Sequence, residues 1–457
     1  MSGAQAQAEA FFDEGFQHLE QGAYGPARDC FRAAIALSPG FLEAQANLAW
    51  VLEQAGVLDE AEACYRRALE LDPANLATNR NLGVLLVRQK RFPEAEAVYR
   101  RALEAHPDSA TLWTNLGVLL ADDNREAEAE ACFRKALDLD ADFAGAHYNL
   151  GYLCLRRGQF EEGWRGREAR SGSALAGRFG FPRWQGEDLK GRSLLIVAQA
   201  GHGDMIQFCR YAAVLKQRGA GRIGVLCQAP LKRLFRTLDS ADQVFALDEP
   251  LPATGWDFWS QPLSLPFHCG TRLESIPAAI PYLHPQADLV TSWGHRVPAG
   301  RLRVGLVWKG SPGFESDGDR SLPGLASLAP LGAVPGTRFF SLQKGAGEAE
   351  AEHPPPGLPV VNLGSLMADF ADTAAIMANL DLVITVDTAA AHLAGALGKA
   401  CWVMLPDYRT DWRWLTGRSD SPWYPGTMRL FRKASSGWPG VVRELAAGLE
   451  TLARGVR

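Results

Sequence analysis

The sequence predicts an α-helical repeat array followed by two α/β domains built on parallel sheets. Residue patterns recur every 34 positions over about the first 170 residues. From Arg192 onward, short apolar runs typical of strands alternate with helical segments. A proline- and aromatic-rich stretch at about residues 249–299 divides this alternation into two series. A chain of 457 residues is long enough for several such domains.

The repeated units combine small, aromatic and proline residues at fixed positions. The recurring residues are Leu48, Leu82, Leu116 and Leu150; Ala61, Ala95 and Ala129; Tyr65, Tyr99 and Phe133; and Pro39, Pro73 and Pro107. Small residues let two helices approach closely, the aromatic ring fills the gap, and proline ends the second helix because it lacks an N–H donor. This pattern resembles the tetratricopeptide repeat family, with four units over residues 8–141 and a fifth that begins at Phe143.

Repeats of this kind stack into a superhelix whose concave face commonly holds a peptide or protein. The alternative is that the array only scaffolds or dimerises the chain. The array is predicted for residues 8–170 and a linker for residues 171–191. In this linker Phe181, Pro182 and Trp184 are expected to dock on the domain that follows, because large apolar side chains seldom remain in water.

The second part of the chain contains two series of predicted strands. They lie at residues 193–199, 222–228 and 243–247, and then at 302–310, 338–345, 381–387 and 400–406. Strands that are apolar on both faces and separated by helices indicate parallel sheets covered on both sides. We therefore expect two Rossmann-type α/β domains, residues 192–299 and 300–457, that face each other across a cleft. Ligands in such folds bind at the carboxyl ends of the strands.

A glycine turn with an acidic residue follows the first strand of the first domain. Gly201, His202, Gly203 and Asp204 stand directly after residues 193–199. Asp204 is either a helix cap or a catalytic carboxylate that takes a proton from an incoming hydroxyl. His202 is a second candidate base, and the sequence does not choose between them.

Polar residues also follow three strands of the second domain. They are Lys309, Ser311, Arg320, Gln343, Lys344, Asp387, Thr388 and His392. A helix that begins after Thr388 offers backbone N–H groups to a phosphate, and the basic side chains suit a diphosphate. The sequence thus predicts a cationic pocket in which Lys309, Lys344 and Thr388 contact one ligand. Alternatively, Asp387 or Thr388 only caps the helix and His392 is a packed residue.

Several stretches carry a more specific resemblance. They include "GHGDMIQFCRY", "VGLVWKGSP", "FFSLQKG", "DTAAIMANLDLVITVDTAAAHLAGALGK" and "DWRWLTGRSDSPWYPGTMRLFR", which together thread most of residues 192–433. Here the chain resembles bacterial proteins that join tetratricopeptide repeats to a GT-B glycosyltransferase domain of family 9, the heptosyltransferase type. The domain order is similar to that of O-linked N-acetylglucosamine transferase, in which repeats present a protein acceptor.

The resemblance implies transfer of a sugar from a nucleotide-diphosphate sugar to an acceptor, without a metal or other cofactor. Asp204 matches the family's catalytic base and Lys309 lies close to its phosphate-binding lysine. Asp387, Thr388 and His392 match the element that lines the donor pocket, and Gln343 and Lys344 lie beside the nucleotide. The α/β part is shorter than usual for this family, and its first domain is reduced.

Other hypotheses stay open at this point. The second part could be an inactive or nucleotide-sensing domain on a protein-binding scaffold, or the acceptor could be a saccharide or lipid. Asp317-Gly318-Asp319 spells a D-x-D metal motif, but it lies in the wrong place for the metal-dependent transferase fold.

Composition excludes some classes of protein. The net charge of -5 argues against a nucleic-acid binder. Neither a signal peptide nor a membrane span is predicted. The eight cysteines form no C-x-x-C motif and no close Cys/His cluster in sequence. These features predict a cytoplasmic protein with reduced thiols and without a metal site.

Overall fold

A computed structural model of the chain describes residues 3–169, 177–199, 201–250, 254–298, 302–314, 316–434 and 436–455. The chain forms two compact units, Met1–Leu153 and Cys154–Arg457. Within the described ranges, every helix is too short or too polar for a membrane span.

The first unit consists of consecutive paired helices. These are α1 (Gly3–Glu20), α2 (Tyr24–Leu37), α3 (Leu42–Gln54), α4 (Leu58–Leu71), α5 (Leu76–Arg88), α6 (Phe92–Ala105), α7 (Ala110–Asp122) and α8 (Glu126–Leu139), followed by α9 (Ala144–Arg156), which crosses the boundary between the units. From α1 to α8, each helix packs against the next one along the chain. The predicted helical repeat array is confirmed.

The repeat pattern has a direct packing cause. The rings of Tyr65, Tyr99 and Phe133 are buried between the helices of their pairs. A Cβ atom at Gly83 would lie 2.2 Å from the ring of Tyr99, and one at Gly117 would lie 2.6 Å from the ring of Phe133. Glycine at these positions therefore allows the close approach of two helices around an aromatic side chain.

The described residues of the second unit form ten strands and the remaining helices. The strands are β1 (Ser193–Val197), β2 (Arg222–Cys227), β3 (Gln243–Ala246), β4 (Phe258–Ser260), β5 (Leu302–Val307), β6 (Thr337–Ser341), β7 (Val360–Asn362), β8 (Leu382–Val386), β9 (Cys401–Leu405) and β10 (Met428–Arg432). The helices are α10 (Phe160–Glu168), α11 (His202–Phe208), α12 (Tyr211–Gln217), α13 (Ala229–Phe235), α14 (Leu265–His268), α15 (Ala287–Gly294), α16 (Asp317–Arg320), α17 (Phe370–Ala378), α18 (Ala389–Ala396) and α19 (Gly437–Gly455). Short 3-10 turns include Glu348–Ala351 and Trp412–Trp414.

The strands form two sheets in which every described pairing is parallel. One has the order β3-β2-β1-β4, and the other has the order β10-β9-β8-β5-β6-β7. All seven predicted strands are present, and the predicted α/β region with parallel sheets is confirmed. The prediction missed β4, β7 and β10. Because the carboxyl ends of parallel strands share one edge of a sheet, the loops after β5, β6, β8 and β9 leave the second sheet on the same side.

The described end of the linker becomes part of the first sheet. Phe179, Phe181 and Trp184 are buried, and both phenylalanines belong to an apolar cluster with Trp259. The backbone N–H of Trp184 donates to the carbonyl of Trp259 at 2.8 Å, and the N–H of Trp259 donates to the carbonyl of Pro182 at 3.1 Å. The predicted docking of these residues is confirmed. The rest of the linker, residues 171–176, lies outside the described residues.

The second helix of the predicted fifth repeat, α10, lies in the second unit. Its Trp164 indole N–H donates to the carbonyl of Thr271 at 3.0 Å. The ring of Trp164 also meets Trp412 edge-on, with ring centroids 5.1 Å apart. These contacts explain why the repeat pattern loses its register near Gly163, since this helix packs on an α/β unit rather than on another repeat.

Candidate functional site

The turn after β1 carries Asp204, which has two partners. Its Oδ2 accepts a hydrogen bond from the backbone N–H of Gly201 at 3.0 Å, so Asp204 caps the start of α11. Its Oδ1 accepts from the guanidinium of Arg413, which lies in the loop after β9 of the other sheet. The capping role considered from the sequence is therefore real, and it coexists with an ion pair that joins loops of the two sheets.

Arg413 bridges two carboxylates. Besides Asp204, its guanidinium donates to Oδ2 of Asp411 at 2.8 Å, and its backbone N–H donates to Oδ1 of the same residue at 2.9 Å. The side chains of Arg413 and Asp204 are only 10% and 18% exposed. Charge-assisted hydrogen bonds between partly buried groups are strong, so Arg413 fixes the position of Asp204.

Asp387, at the end of β8, joins the same cluster of charges. Burial raises the pKa of Asp387 to about 6, and the nearby carboxylate of Asp411 adds to this effect. The positive charges of Arg320 and Arg413 act in the opposite direction. The indole of Trp414 also lowers this pKa, although its N–H makes no hydrogen bond of normal geometry. A carboxyl group with this pKa can take up or release a proton close to neutral pH.

Thr388 and His392 have structural partners. The Thr388 hydroxyl accepts from the backbone N–H of Ala390 at 3.3 Å and lies 3.0 Å from the hydroxyl of Thr385, so Thr388 caps α18. His392 is 5% exposed, and its Nδ1 lies 3.0 Å from the hydroxyl of Tyr424. Burial lowers the pKa of His392 well below its ordinary value, which keeps the ring neutral. The packed alternative for His392 thus fits its surroundings better than a phosphate contact does.

The turn of the first sheet lies directly against α18. A Cβ atom at Gly203 would lie 2.9 Å from Cδ2 of His392 and 3.5 Å from Cα of Ala389. Glycine at position 203 is therefore required for this approach. The His202 ring lies 5.1 Å from the ring of Phe370, and burial lowers the pKa of His202. His202 is consequently neutral near pH 7 and able to accept a proton.

The predicted lysines lie beside glutamates. The ammonium of Lys309 is 3.0 Å from Oε1 of Glu350, and that of Lys344 is 3.5 Å from Oε1 of Glu348. Both glutamates belong to the 3-10 turn Glu348–Ala351. Among the contacts that the structure describes, none brings Lys309 or Lys344 to Thr388. Acidic residues thus compensate both lysines, and a single cationic pocket that joins them to Thr388 stays a prediction.

The side chain of Gln343 connects two loops of the second sheet. Its side-chain carbonyl accepts from the backbone N–H groups of Trp308 and Lys309 at 2.9 and 3.0 Å, and its NH2 group donates to the carbonyls of Lys309 and Ala346 at 3.1 and 2.8 Å. Gln343 is 1% exposed. These bonds tie the loop after β5 to the loop after β6, and the nucleotide contact of Gln343 stays a prediction.

Arg320 and Ser311 differ in their surroundings. Nε of Arg320 donates to Oδ1 of Asp317 at 3.0 Å, and its guanidinium lies 4.1 Å from the centre of the Phe314 ring. Asp317, the first residue of the D-x-D triplet, is thus an ion-pair partner. Ser311 is exposed. Of these residues, Arg320 belongs to the charged cluster, because its charge acts on Asp387.

The candidate site is therefore a cluster of five charged side chains, namely Asp204, Arg320, Asp387, Asp411 and Arg413. They come from the loops after β1, β5, β8 and β9 of two sheets. Asp411 and Arg413 had no assigned role in the sequence analysis. The sequence feature that could have indicated them is "DWRW", in which an acidic residue stands two positions before a basic one. In the structure Asp411 accepts a hydrogen bond from the backbone N–H of Arg413 and so caps a short turn.

Buried Arg210 holds the neighbouring loops together. It donates to the carbonyls of Trp423 and Gln207 at 2.7 and 2.8 Å and to the Tyr282 hydroxyl at 2.8 Å. Its guanidinium lies over the rings of Tyr282 and Tyr424, 4.4 and 4.6 Å from their centres. Hydrogen bonds and aromatic faces thus solvate this buried cation.

Comparisons with known proteins identify the repeats in the N-terminal part of the chain. The tetratricopeptide repeat family model matches residues 12–75, 80–142 and 127–163. Protein FlbA of Caulobacter vibrioides is 27% identical over 329 residues, which cover 66% of this chain and 54% of FlbA. The chain thus spans about half the length of this curated relative.

Solved structures that are similar to the chain cover about a third of it. PilF of Pseudomonas aeruginosa is 25% identical, with a TM-score of 0.33 over 37% of this chain and 75% of PilF. MamA of Desulfovibrio magneticus RS-1 is 19% identical, with a TM-score of 0.32 over 36% of this chain and 90% of MamA. The family match establishes that the N-terminal part of the chain consists of tetratricopeptide repeats, which are modules for protein interaction.

Proposed function

We propose that the second unit is a glycosyltransferase that moves a sugar from a nucleotide-diphosphate sugar to an acceptor hydroxyl. We further propose that the repeats recruit the acceptor, which would be a protein. The proposal rests on one observation above all. Loops at the carboxyl ends of strands in two different parallel sheets meet through the Asp204–Arg413 pair, and such loops are where ligands bind in α/β folds.

The chemistry assigned to this site is a single displacement. Asp204, or His202 beside it, takes the proton of the acceptor hydroxyl. The resulting oxygen forms a bond to the anomeric carbon while the bond from that carbon to the phosphate oxygen breaks, and the nucleoside diphosphate leaves with both bonding electrons. Arg320 and Arg413 carry the positive charge that stabilises the leaving diphosphate.

A ligand must rearrange the ion pairs for this reaction. Arg413 holds Asp204, and glutamates hold Lys309 and Lys344. A diphosphate that draws Arg413 toward itself would release Asp204 for proton transfer. Asp387, whose pKa is about 6, supplies a further group that can bind a sugar hydroxyl as an acceptor or as a donor.

The test is nucleotide release with variants of the proposed base. The full chain is incubated with UDP-, GDP-, ADP- and CMP-linked sugars, and the freed nucleotide is measured for the wild type, Asp204→Asn and His202→Gln. We expect turnover with one donor and a loss of at least about 100-fold in the variant of the true base. Equal turnover in all three proteins would remove both base assignments.

A second candidate function is a protein-binding scaffold whose α/β unit senses a nucleotide without turning it over. The observation that favours it is that Asp204, Lys309 and Lys344 all have partners of opposite charge. Thermal unfolding with each nucleoside diphosphate separates the two functions. A nucleotide at about 100 times its dissociation constant stabilises by about 2.7 kcal/mol, so stabilisation without turnover would favour the sensor.

A further inference from the structure

The first repeat carries polar residues where later repeats carry leucine. With the period of 34, Glu14 and His18 correspond to the following residues: Leu48 and Leu52, Leu82 and Leu86, and Leu116 and Leu120. All six leucines are at most 4% exposed. Glu14 and His18 are thus polar at positions where the later repeats are apolar, and both converge on a thiol.

Three groups of different chemistry meet between α1 and α2. Glu14 and His18 are four residues apart on α1 and therefore lie on one face of that helix. Cys30 lies on α2, which approaches closely at Gly15, where a Cβ atom would be 3.1 Å from Cβ of Cys30. A carboxylate oxygen of Glu14, a ring nitrogen of His18 and Sγ of Cys30 all lie within 4.8 Å of one another.

We propose that Glu14, His18 and Cys30 bind Zn²⁺, a divalent cation that favours sulfur and nitrogen ligands. Zinc takes thiolate, imidazole and carboxylate ligands at about 2.0–2.3 Å in tetrahedral sites. The three ligand atoms lie within 4.8 Å of one another, and Glu14 is exposed while the other two residues are partly buried. A thiolate and a carboxylate balance the charge of the ion, and water completes the tetrahedron.

The metal-free site holds its proton on sulfur. Burial raises the pKa of the Cys30 thiol, and the negative charges of Glu14 and Asp29 raise it further. Asp29 itself is paired with Arg28. Binding of zinc must therefore release the thiol proton, so the affinity is expected to increase with pH. The cation would at the same time relieve the repulsion between the thiolate and Glu14.

The repeat array provides a matched control. Cys64 stands 34 residues after Cys30, at the same position of the next repeat, and it is also partly buried. The residues that correspond to Glu14 and His18 in that repeat are Leu48 and Leu52, which offer no ligand atoms. The substitutions Cys30→Ser and Cys64→Ser thus make the same chemical change in equivalent places, with and without the two other ligands.

The experiment is a zinc titration of the full, reduced chain after treatment with a chelator. We expect one zinc ion per chain. The affinity should fall by more than about 100-fold in Cys30→Ser and in His18→Gln, which is more than the loss of about 10–100-fold that follows when a residue that only hydrogen-bonds to a metal ligand is removed. Glu14→Gln should weaken binding by at least about 10-fold, and because Glu14 is exposed this variant keeps its fold. Cys64→Ser should bind as the wild type does.

Cobalt supplies a readout that depends on sulfur ligation. Co²⁺ in place of Zn²⁺ should give the absorption of a thiolate complex in the wild type and in Cys64→Ser, and this absorption should vanish in Cys30→Ser. Equal affinity and equal spectra of the two serine variants would overturn the proposal, as would the lack of a one-to-one site in the wild type. Neither result depends on whether the second unit transfers sugar.

Discussion

The two units differ in how their polar and apolar residues are arranged. In the repeat array, one environment recurs, and Tyr65, Tyr99 and Phe133 fill the same gap in successive repeats. In the α/β unit, buried polar residues such as Arg210 and His392 have surroundings that no repeated sequence pattern predicts. The packing of the repeats can therefore be deduced from one repeat, whereas the contacts of a site built from separate loops require the structure.

The largest expected effect tests the equivalence of the repeats. Tyr99→Ala should destabilise the array by about 3–5 kcal/mol, because it removes a ring that is 1% exposed and leaves a cavity between α5 and α6. Phe133→Ala changes the equivalent ring and should cost a similar amount. Hydrogen exchange of α5–α8 would measure both losses. A difference above about 2 kcal/mol would contradict the picture of recurring environments.

A second large effect concerns the single environment of Arg210. Arg210→Met should lower the free energy of unfolding of the α/β unit by about 3 kcal/mol, because it leaves buried carbonyls of Gln207 and Trp423 without donors. Tryptophan fluorescence during urea unfolding is suitable, since most of the 13 tryptophans lie in this unit.

The control for Arg210 is Arg218→Met. Arg218 is exposed and donates to the carbonyl of Cys269 at 2.6 Å. Its loss should cost less than about 1 kcal/mol. If both variants lost the same stability, the hydrogen bonds and aromatic contacts of Arg210 would not be what stabilises these loops.

The sequence predicts the backbone of both units better than the partners of the site residues. The 34-residue period and the apolar runs of β1, β2, β3, β5, β6, β8 and β9 place helices and strands correctly because these patterns reflect burial along the chain. Short strands such as β7, where Val361 is exposed, give no such signal.

Ion-pair partners that are far apart in the sequence cannot be predicted from local sequence patterns. Lys309 meets Glu350, 41 positions later, and Asp204 meets Arg413, 209 positions later. Nothing in the local spacing indicates either pair, so the lysines look uncompensated in the sequence. The spacing of His18 and Cys30 likewise does not indicate that they meet, because they lie 12 positions apart on two different helices of one pair.

A third effect follows from the pKa of Asp387. Folding raises this pKa from 3.8 to about 6, so the native state holds the proton more tightly than the unfolded chain does. The Asp387 carboxyl therefore leaves the free energy of unfolding unchanged below about pH 4. It lowers this free energy as the pH rises toward 6, and the free energy stays lower above that pH. The change corresponds to about 2–3 kcal/mol.

Asp387→Asn isolates this contribution, because asparagine has no proton to lose in this range. The free energy of unfolding of the variant minus that of the wild type should increase by about 2–3 kcal/mol from pH 4 to pH 7. Urea unfolding at several pH values measures it. A constant difference would show that the Asp387 carboxyl is as well solvated in the fold as in the unfolded chain.

The smallest effect belongs to an ion pair of the array. Arg32 on α2 lies 2.5 Å from Glu60 on α4, and both side chains are more than 40% exposed. Arg32→Ala should cost no more than about 0.5 kcal/mol, because water already solvates both charges. Arg88→Ala provides the contrast, since its partner Glu53 is 7% exposed and also accepts from the Tyr65 hydroxyl. Unfolding followed by circular dichroism should show a loss of about 1–3 kcal/mol for that variant. Equal losses would mean that burial of the acidic partner does not determine what a charged pair contributes in this array.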